Sequence, residues 1–255
     1  MSRFIVLFFL SNAIYTQDSL IVMSYNVLRF NRNSTNRAQY IKKVVDYIQP
    51  DIVVLQEIED GAGLDKILEK AFNSDSSVYA AGSLVSSTWM KSVVVYRKSK
   101  VDISSHIFIS TVLRDITGYT LSIKNAHSNV SPFTVFGAHL KASDGSSEGY
   151  QRWEEAKELY KYVAQKSSDY HYIFAGDFNL YGTDEKAYKL LTDSMTVDLK
   201  DVVGPWVRNE SAHISKFTQS TRTDNLGDGG ATGGLDDRFD FILFSDHFTA
   251  KDPDL

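Results

Sequence analysis

Residues 172–180 have the sequence YIFAGDFNL. A short apolar run, typical of a buried strand, ends at Gly176, and Asp177 and Asn179 follow it. Residues i and i+2 of an extended chain point to the same face, so both polar side chains would lie just beyond the strand end, where α/β proteins usually bind ligands. A carboxylate beside an amide suits a hard metal ion or a phosphoryl oxygen. The alternative is an Asx turn that closes the strand.

The composition indicates one large α/β domain. The chain has 255 residues, 43% of them hydrophobic, and this is enough for a sizeable core. There is no cysteine, which excludes a disulfide framework, a thiolate metal site and a cysteine nucleophile. The net charge of −5 argues against binding of nucleic acid by bulk electrostatics alone. A local basic groove or a bound metal stays compatible with that charge.

The N-terminus predicts export. Arg3 precedes an apolar run, residues 4–10, and small polar residues follow it, which is the pattern of a secretory signal peptide. We expect a signal peptide over residues 1–16, cleaved near Thr16, a mature domain over residues 17–255, and a secreted or periplasmic protein. The run is too short to span a bilayer, so no transmembrane segment is predicted there. A buried first strand is the alternative for the same residues.

The order of the elements predicts an α/β (α+β) sandwich. The segment between residues 77 and 140 contains five strand-like runs in succession, whereas only four segments of the chain have helical spacing. So many strands with so few helices between them do not fit a purely parallel, doubly wound sheet. They fit two mixed β-sheets packed face to face with helices outside, in four layers α-β-β-α. No linker or repeat divides the chain.

Polar residues follow five of the predicted strands, and they are of one chemical kind. These residues are Asn26, Glu57, His139, the pair Asp177 and Asn179, and Asp240. Oxygen ligands without cysteine suit Mg²⁺, or else Mn²⁺ or Ca²⁺, rather than zinc. Since Mg²⁺ takes one or two carboxylates and keeps places for water and phosphate, Glu57 is the expected metal anchor.

Each of the other residues has a role that its chemistry permits. His139 could stabilise added charge on phosphorus or protonate a leaving oxygen. Asp177 could orient an attacking water and Asn179 could bind a phosphate oxygen. Asp240 could fix the tautomer of the His139 imidazole.

Five strings of the chain, in order, resemble the endonuclease/exonuclease/phosphatase superfamily. They are SYNVL (24–28), DIVVLQE (51–57), GAHLKAS (137–143), FAGDFNL (174–180) and DRFDFIL (237–243). The resemblance implies a fold like that of DNase I and cleavage of phosphodiester or phosphomonoester bonds with a divalent metal. Residues 217–222 and 233–237 further resemble secreted bacterial members of this family.

The resemblance also implies roles for individual residues. Glu57 matches the metal-binding glutamate, and Asn26 matches the phosphate-binding asparagine beside it. His139 matches the catalytic histidine, and Asp240 matches the aspartate that supports it. The catalytic Asp177 and the phosphate-binding Asn179 match the family's aspartate–asparagine pair. A histidine rather than a tyrosine at position 139 favours the DNase-like, sphingomyelinase-like and phosphatase branches.

The chain departs from the family at its last motif. The family ends with Ser-Asp-His on a final strand, and residues 245–247 of this chain have that sequence. His247, however, follows Asp240 by seven residues on what appears in the sequence as one strand, which would separate the two by roughly 20 Å. We therefore expect residues 245–247 to be a chance match and the last C-terminal strand of the domain to be missing.

These features together predict a secreted, divalent-metal-dependent phosphodiesterase. The preferred substrate is nucleic acid, which makes the protein an endonuclease. One alternative is a sphingomyelinase-like or small phosphate-ester hydrolase with the same site. The other is a catalytically impaired relic that binds phosphate without turnover, because the second histidine of the family is not found.

Overall fold

The computed structural model describes residues 6–9, 19–84, 88–124, 130–194 and 197–251. The first of its two sheets contains, in spatial order, β11 (Thr249–Lys251), β1 (Val6–Phe9), β2 (Ser19–Phe30), β3 (Ile52–Ile58), β5 (Lys91–Arg97) and β4 (Tyr79–Ala81). The second contains β10 (Asp240–Phe244), β9 (His171–Asp177), β8 (Phe133–His139), β7 (Ile116–Ile123) and β6 (Val101–Ile109). The β2–β3 and β8–β9 pairs are parallel and the others are antiparallel, so both sheets are mixed, as predicted.

Helices lie against both sheets. They are α1 (Thr35–Ile48), α2 (Gly61–Ile67, continued by a π-helical turn at Leu68–Phe72), α3 (Ser146–Val163), α4 (Lys186–Thr192) and a 3₁₀ turn at Ser211–Lys216. Buried side chains of α1 and α2 join the core of the first sheet, and those of α3 and α4 join a second core with β8, β9 and β10. The predicted four-layer sandwich, of the kind found in DNase I, is confirmed.

The two sheets approach each other closely where β3 crosses β8. All seven residues of β3 are buried, and its run is continuously apolar through Leu55 because both of its faces are covered. On β8, Gly137 leaves the space that this contact needs: a Cβ there would lie 2.9 Å from Cγ1 of Val54 and 3.2 Å from Cβ of Ser92. The packing fixes the ends of β3 and β8 relative to each other.

A buried ion pair anchors the irregular segment between α4 and β10. Arg238, which is 1% exposed, donates two hydrogen bonds of 2.8 Å to the carboxylate of Asp201. Its guanidinium lies 4.2 Å from the ring centroid of Phe241, and the Tyr188 hydroxyl also donates to Asp201. The segment is therefore held against β10, beside the end that carries Asp240.

The N-terminal strand β1 pairs antiparallel with β2, and β11 pairs with its other side. β1 lies within residues 1–16, for which the sequence allows either a signal peptide or a first strand. The signal peptide over those residues and the domain boundary at residue 17 stay predictions. The cleavage point expected near Thr16 lies outside the described residues. Among the helices that the structure describes, none has both the length and the apolar character needed to cross a membrane.

Candidate active site

The strand registers bring the predicted site residues to one edge of the sandwich. In the parallel pair β8–β9, His139 lies beside Asp177, and in the antiparallel pair β9–β10, Asp240 lies on the other side of Asp177. In the first sheet, Asn26 on β2 lies beside Gln56 on β3, with Glu57 one residue further. Because β2 packs against β9, the two groups meet face to face.

Asn26 joins the two sheets at this edge. Its side-chain nitrogen Nδ2 donates to Glu57 Oε1 at 2.8 Å and to Asp177 Oδ2 at 2.9 Å. Its Oδ1 accepts from the backbone N–H of Leu28 at 2.9 Å, which holds the amide in this orientation. One amide group therefore bridges two carboxylates that would otherwise repel each other directly.

The backbone around the Glu57 carboxylate is in a conformation that residues other than glycine seldom adopt. Positive φ angles are found at Leu28 (50°), Arg29 (49°), Glu57 (65°) and Asn179 (49°). The irregularity of β2 at Leu28 and Arg29, where its register against β3 shifts, directs the Arg29 N–H to Glu57 Oε2 at 2.9 Å. Strained backbone conformations that neighbouring contacts hold in place are common at functional sites. Here the strained residues hold the carboxylate of Glu57, which the sequence predicts to be the metal ligand.

His139 lies between the two carboxylates without a hydrogen bond to either. Its Nδ1 is 3.8 Å from Glu57 Oε1 and its Nε2 is 3.9 Å from Asp177 Oδ2. The residue is only 7% exposed, and Nδ1 has no partner. Burial, together with the nearby Arg114 guanidinium, lowers the pKa of His139 to about 3, so the imidazole is neutral at physiological pH.

Asp177 and Asn179 form both of the structures considered for them. The Asn179 N–H donates to Asp177 Oδ1 at 3.2 Å, which is an Asx turn, and the carboxylate at the same time faces the site. The Asn179 amide nitrogen donates to the Leu140 carbonyl at 3.2 Å. The Asx-turn and site interpretations are therefore not exclusive, because the turn itself orients the carboxylate.

Gly176 is required by the backbone immediately before this pair. Its φ is 152°, and a Cβ at this position would overlap the carbonyl oxygen of Ala138 on β8. Close approach of the two strands at their last residues is what sets His139 next to Asp177.

Asp240 interacts with Asp177 rather than with His139. No hydrogen bond joins Asp240 to His139 in the described part of the chain, since Asp177 lies between them in the sheet. Burial and the Asp177 charge raise the pKa of Asp240 well above its ordinary value, and burial and Glu57 raise that of Asp177 to about 6. The Asp240 backbone N–H donates to Thr218 Oγ1 at 2.8 Å. The role of Asp240 in fixing the His139 tautomer stays a prediction.

Arg114 is a site residue that the sequence did not reveal. It lies in the turn between β6 and β7, and its Nη1 donates to the carbonyls of His139 (3.1 Å) and Leu140 (3.0 Å). Burial lowers its pKa, while Glu57, Glu155 and Asp177 raise it. A single arginine in a polar turn gives no sequence signal, because its place at the site depends on the register of β7 against β8.

An ion pair with a buried arginine connects the two loops that leave the site. Arg152 on α3 is 1% exposed, and its Nε and Nη2 donate to the two oxygens of Glu185 at 2.8 and 2.9 Å. Its Nη1 donates to the carbonyls of Lys141 and Ser143, in the loop after His139. Glu185 also accepts from the Tyr181 N–H, in the loop after Asn179.

His247 lies at the opposite end of the second sheet from the site. Its ring centroid is 3.9 Å from that of His171, the first residue of β9, whereas Asp177 is the last. The Ser245 hydroxyl accepts from the Tyr172 N–H at the same end. This position agrees with the interpretation of residues 245–247 as a chance match to the family's last motif.

The fold and this constellation identify the class of protein. The chain belongs to the endonuclease/exonuclease/phosphatase family, whose model matches residues 23–254. Members of this family are generally phosphoric ester hydrolases and typically depend on a divalent metal.

Solved structures share the fold at low identity. TDP2 from C. elegans is 23% identical, with a TM-score of 0.61 over 89% of this chain and 64% of that chain. A family protein from Bacteroides thetaiotaomicron is 18% identical, with a TM-score of 0.61 over 88% and 82% of the two chains. The catalytic domain of human Nocturnin, with a bound sulfate anion, is 16% identical, with a TM-score of 0.59 over 90% and 86%. A comparison with curated proteins found no match. Identities this low establish the fold alone.

The residues of the site fit a hard divalent cation. Two carboxylates, Glu57 and Asp177, face one amide, and their mutual repulsion contributes to the raised pKa of Asp177. A cation placed there would relieve that repulsion. Within the described residues, no group of three or more histidine, aspartate or glutamate side chains could hold a metal ion by itself. A hard cation here would be held by one or two carboxylates and would take its other ligands from water and substrate.

Proposed function

We propose that this protein is a secreted or periplasmic, divalent-metal-dependent phosphodiesterase that cleaves nucleic acid as an endonuclease. The observation that carries the proposal is the meeting of Asn26, Glu57, His139 and Asp177 at one edge of two facing sheets. These side chains come from four different strands, and a purely structural set would not need buried carboxylates and an unpartnered imidazole together.

Each side chain has a position from which it can act on a phosphodiester. Asp177, whose Oδ1 is fixed by the Asn179 N–H, can orient the attacking water opposite the leaving oxygen. The neutral His139 ring can donate a hydrogen bond to a phosphoryl oxygen, and Asn179 has a second amide hydrogen beside the one that it donates to the Leu140 carbonyl. Both amide hydrogens of Asn26 are donated to Glu57 and Asp177, so contact of this amide with phosphate would require one of those bonds to be released. Arg114 holds the His139 carbonyl and adds positive charge where negative charge develops on phosphorus.

A divalent cation, which we propose to be Mg²⁺, would be held by Glu57 and supplies charge neutralisation at the phosphoryl oxygens when it is bound. Mn²⁺ and Ca²⁺ are oxygen-binding alternatives. The Asn26 amide and the Arg29 N–H keep the Glu57 carboxylate oriented for that task.

An exposed tryptophan with an arginine against its ring, next to the site, supports nucleic acid as the substrate. Trp89, which is 57% exposed, precedes β5 at the same edge, and the Arg29 guanidinium lies 5.1 Å from its ring centroid. Exposed aromatic rings stack on bases, and arginine adds attraction for the phosphate backbone. A lipid headgroup or a small phosphate ester would not need this surface.

The test uses plasmid DNA and bis-p-nitrophenyl phosphate, each with and without Mg²⁺. We expect cleavage of both that EDTA abolishes, and a loss of roughly 10²–10⁴-fold in kcat for His139→Ala. The matched control is His247→Ala, a histidine at the far end of β9, which we expect to stay within twofold of wild type. Cleavage that survives EDTA or His139→Ala would contradict the mechanism.

A protein that binds phosphate without turnover is the second candidate. The observation that favours it is that His139 is the one histidine that the described residues bring to the site, with His247 at the other end of β9. Phosphate binding by calorimetry, with no hydrolysis of either ester in Mg²⁺ or Mn²⁺, would favour this candidate.

For export, sequencing the N-terminus of the protein recovered from the medium or periplasm tests cleavage near Thr16.

A further inference from the structure

A cleft of about 540 Å³ lies beside the candidate active site, between the loop that follows β8 and the loop that follows β9. We call it the side cleft, and the residues that define it are Asp144, Tyr150, Tyr181, Asp184, Lys186 and Arg208. Tyr181 follows Asn179 by two residues, so the side cleft begins within about 7 Å of the site along the backbone. That distance is about one nucleotide step. None of the roles described above uses these side chains.

The charges of the side cleft cancel. Its three cations are Arg152, Lys186 and Arg208, and its three carboxylates are Asp144, Asp184 and Glu185. Two of the cations are already paired within the cleft, Arg152 with Glu185 at 2.8 Å and Arg208 with Asp144 at 2.6 Å. The cleft therefore does not suit a second phosphate, and it offers no excess of negative charge for a cation.

Planar groups line the same cleft. Tyr150 is 55% exposed, and its ring lies 5.3 Å from that of Trp153, which supports it from one side. The Tyr181 ring has the guanidiniums of Arg208 and Arg152 at 4.8 and 5.2 Å and packs edge-on against Phe239. The Tyr150 ring and the Arg208 guanidinium are held by protein contacts, so they offer planar groups for stacking before any ligand arrives.

We propose that the side cleft binds a nucleobase, that of the nucleotide next to the scissile phosphate. This proposal rests on the proposed phosphodiesterase function, and it specifies which part of the substrate the protein recognises beside the phosphate. A base is planar, uncharged and rich in hydrogen-bonding groups, which matches a neutral cleft with tyrosine rings, carboxylates and a lysine at its walls. A quaternary ammonium headgroup matches it less well, because the two guanidiniums beside Tyr181 would repel a third cation.

Calorimetric titration with two ligands that share their sugar phosphate isolates the contribution of the base. We expect adenosine 5′-monophosphate to bind about tenfold more tightly than ribose 5-phosphate, since stacking on one aromatic ring has about that effect. Tyr150→Ala should remove this difference and leave ribose 5-phosphate unchanged, whereas Tyr150→Phe should retain it. Tyr40→Ala is the matched control, because Tyr40 is a comparably exposed tyrosine, 61% exposed, on α1, which packs against the first sheet.

The outcomes separate the side cleft from the activity. Equal affinities for the two ligands, or binding of neither, would overturn the proposal, and so would phosphocholine binding more tightly than adenosine 5′-monophosphate through Tyr150. Hydrolysis of methyl p-nitrophenyl phosphate, which has no base, is measured alongside. Hydrolysis together with equal affinities for the ligands with and without a base would overturn the side-cleft proposal alone. A preference for the base without hydrolysis supports the side cleft and contradicts the phosphodiesterase.

Discussion

Glu155 on α3 should make the stability of the protein depend on pH. It is 1% exposed, its Oε2 accepts from the Lys141 N–H at 2.8 Å, and its Oε1 is buried without a partner. The cations that face it, Arg114, Arg152 and Lys141, favour the carboxylate. Burial outweighs them and raises the pKa of Glu155 to about 7, from an ordinary value of 4.5.

The sign and size of the effect follow from these two pKa values. The folded protein binds the proton up to a higher pH than the unfolded chain does, so this contribution to stability is complete below pH 4.5 and is lost as the pH rises through 7. The displacement corresponds to about 3 kcal/mol. Glu155→Gln keeps the acceptor for Lys141 and cannot ionise. Relative to wild type, its free energy of unfolding should therefore rise by about 2–3 kcal/mol between pH 4.5 and pH 8.

Urea unfolding of both proteins at pH 4.5, 6 and 8 measures this difference. The control is Glu158→Gln, on the exposed side of the same helix, where loss of the ion pair with Lys161 should change stability by less than about 0.5 kcal/mol at any pH. A difference between Glu155→Gln and wild type that is constant with pH, or that shrinks as the pH rises, would refute the reasoning.

Three further substitutions test the geometry of the site. Gly176→Ala should lower the free energy of unfolding by about 3 kcal/mol or more, because the added Cβ would overlap the Ala138 carbonyl. The control is Gly204→Ala, at φ 70° in open space, which should lower it by about 1 kcal/mol. Equal losses of stability in urea unfolding would contradict the steric explanation. Arg114→Met should reduce kcat for bis-p-nitrophenyl phosphate by about tenfold or more, since it releases the His139 carbonyl and removes a charge; activity within twofold of wild type would exclude this role. Saturating Mg²⁺ should raise the Tm of wild type and of Glu59→Gln by several degrees and leave that of Glu57→Gln unchanged; a rise in Glu57→Gln would assign the ion to other ligands.

The fold and the meeting of the site residues could be predicted because they depend on local patterns. Each polar residue follows an apolar run, and the ends of parallel strands share one edge of a sheet, so Asn26, Glu57, His139 and Asp177 had to be near one another once two sheets were assumed. The geometry of strands also placed His247 correctly at the far end, although its local sequence matches a catalytic motif.

What could not be predicted depends on contacts between distant parts of the chain. Arg114 reaches the His139 carbonyl only because β7 and β8 pair in one register, and Asp240 faces Asp177 rather than His139 because β9 lies between them. The segment before β10 lacks periodicity, and its position depends on contacts between distant residues, such as the buried pair of Arg238 with Asp201 and the hydrogen bond from the Asp240 N–H to Thr218. The spacing of residues in the sequence and its composition do not indicate any of these contacts.

The ion pair between Arg152 and Glu185 has a consequence for how this protein can be altered. It ties the loop after His139 to the loop after Asn179, and the same two loops form the walls of the side cleft. Replacing the loop after Asn179, which contains Glu185, would leave the charge of Arg152 on α3 buried and unpaired, at a cost of about 3–5 kcal/mol. A graft of that loop must therefore keep a carboxylate at position 185 or replace Arg152 as well.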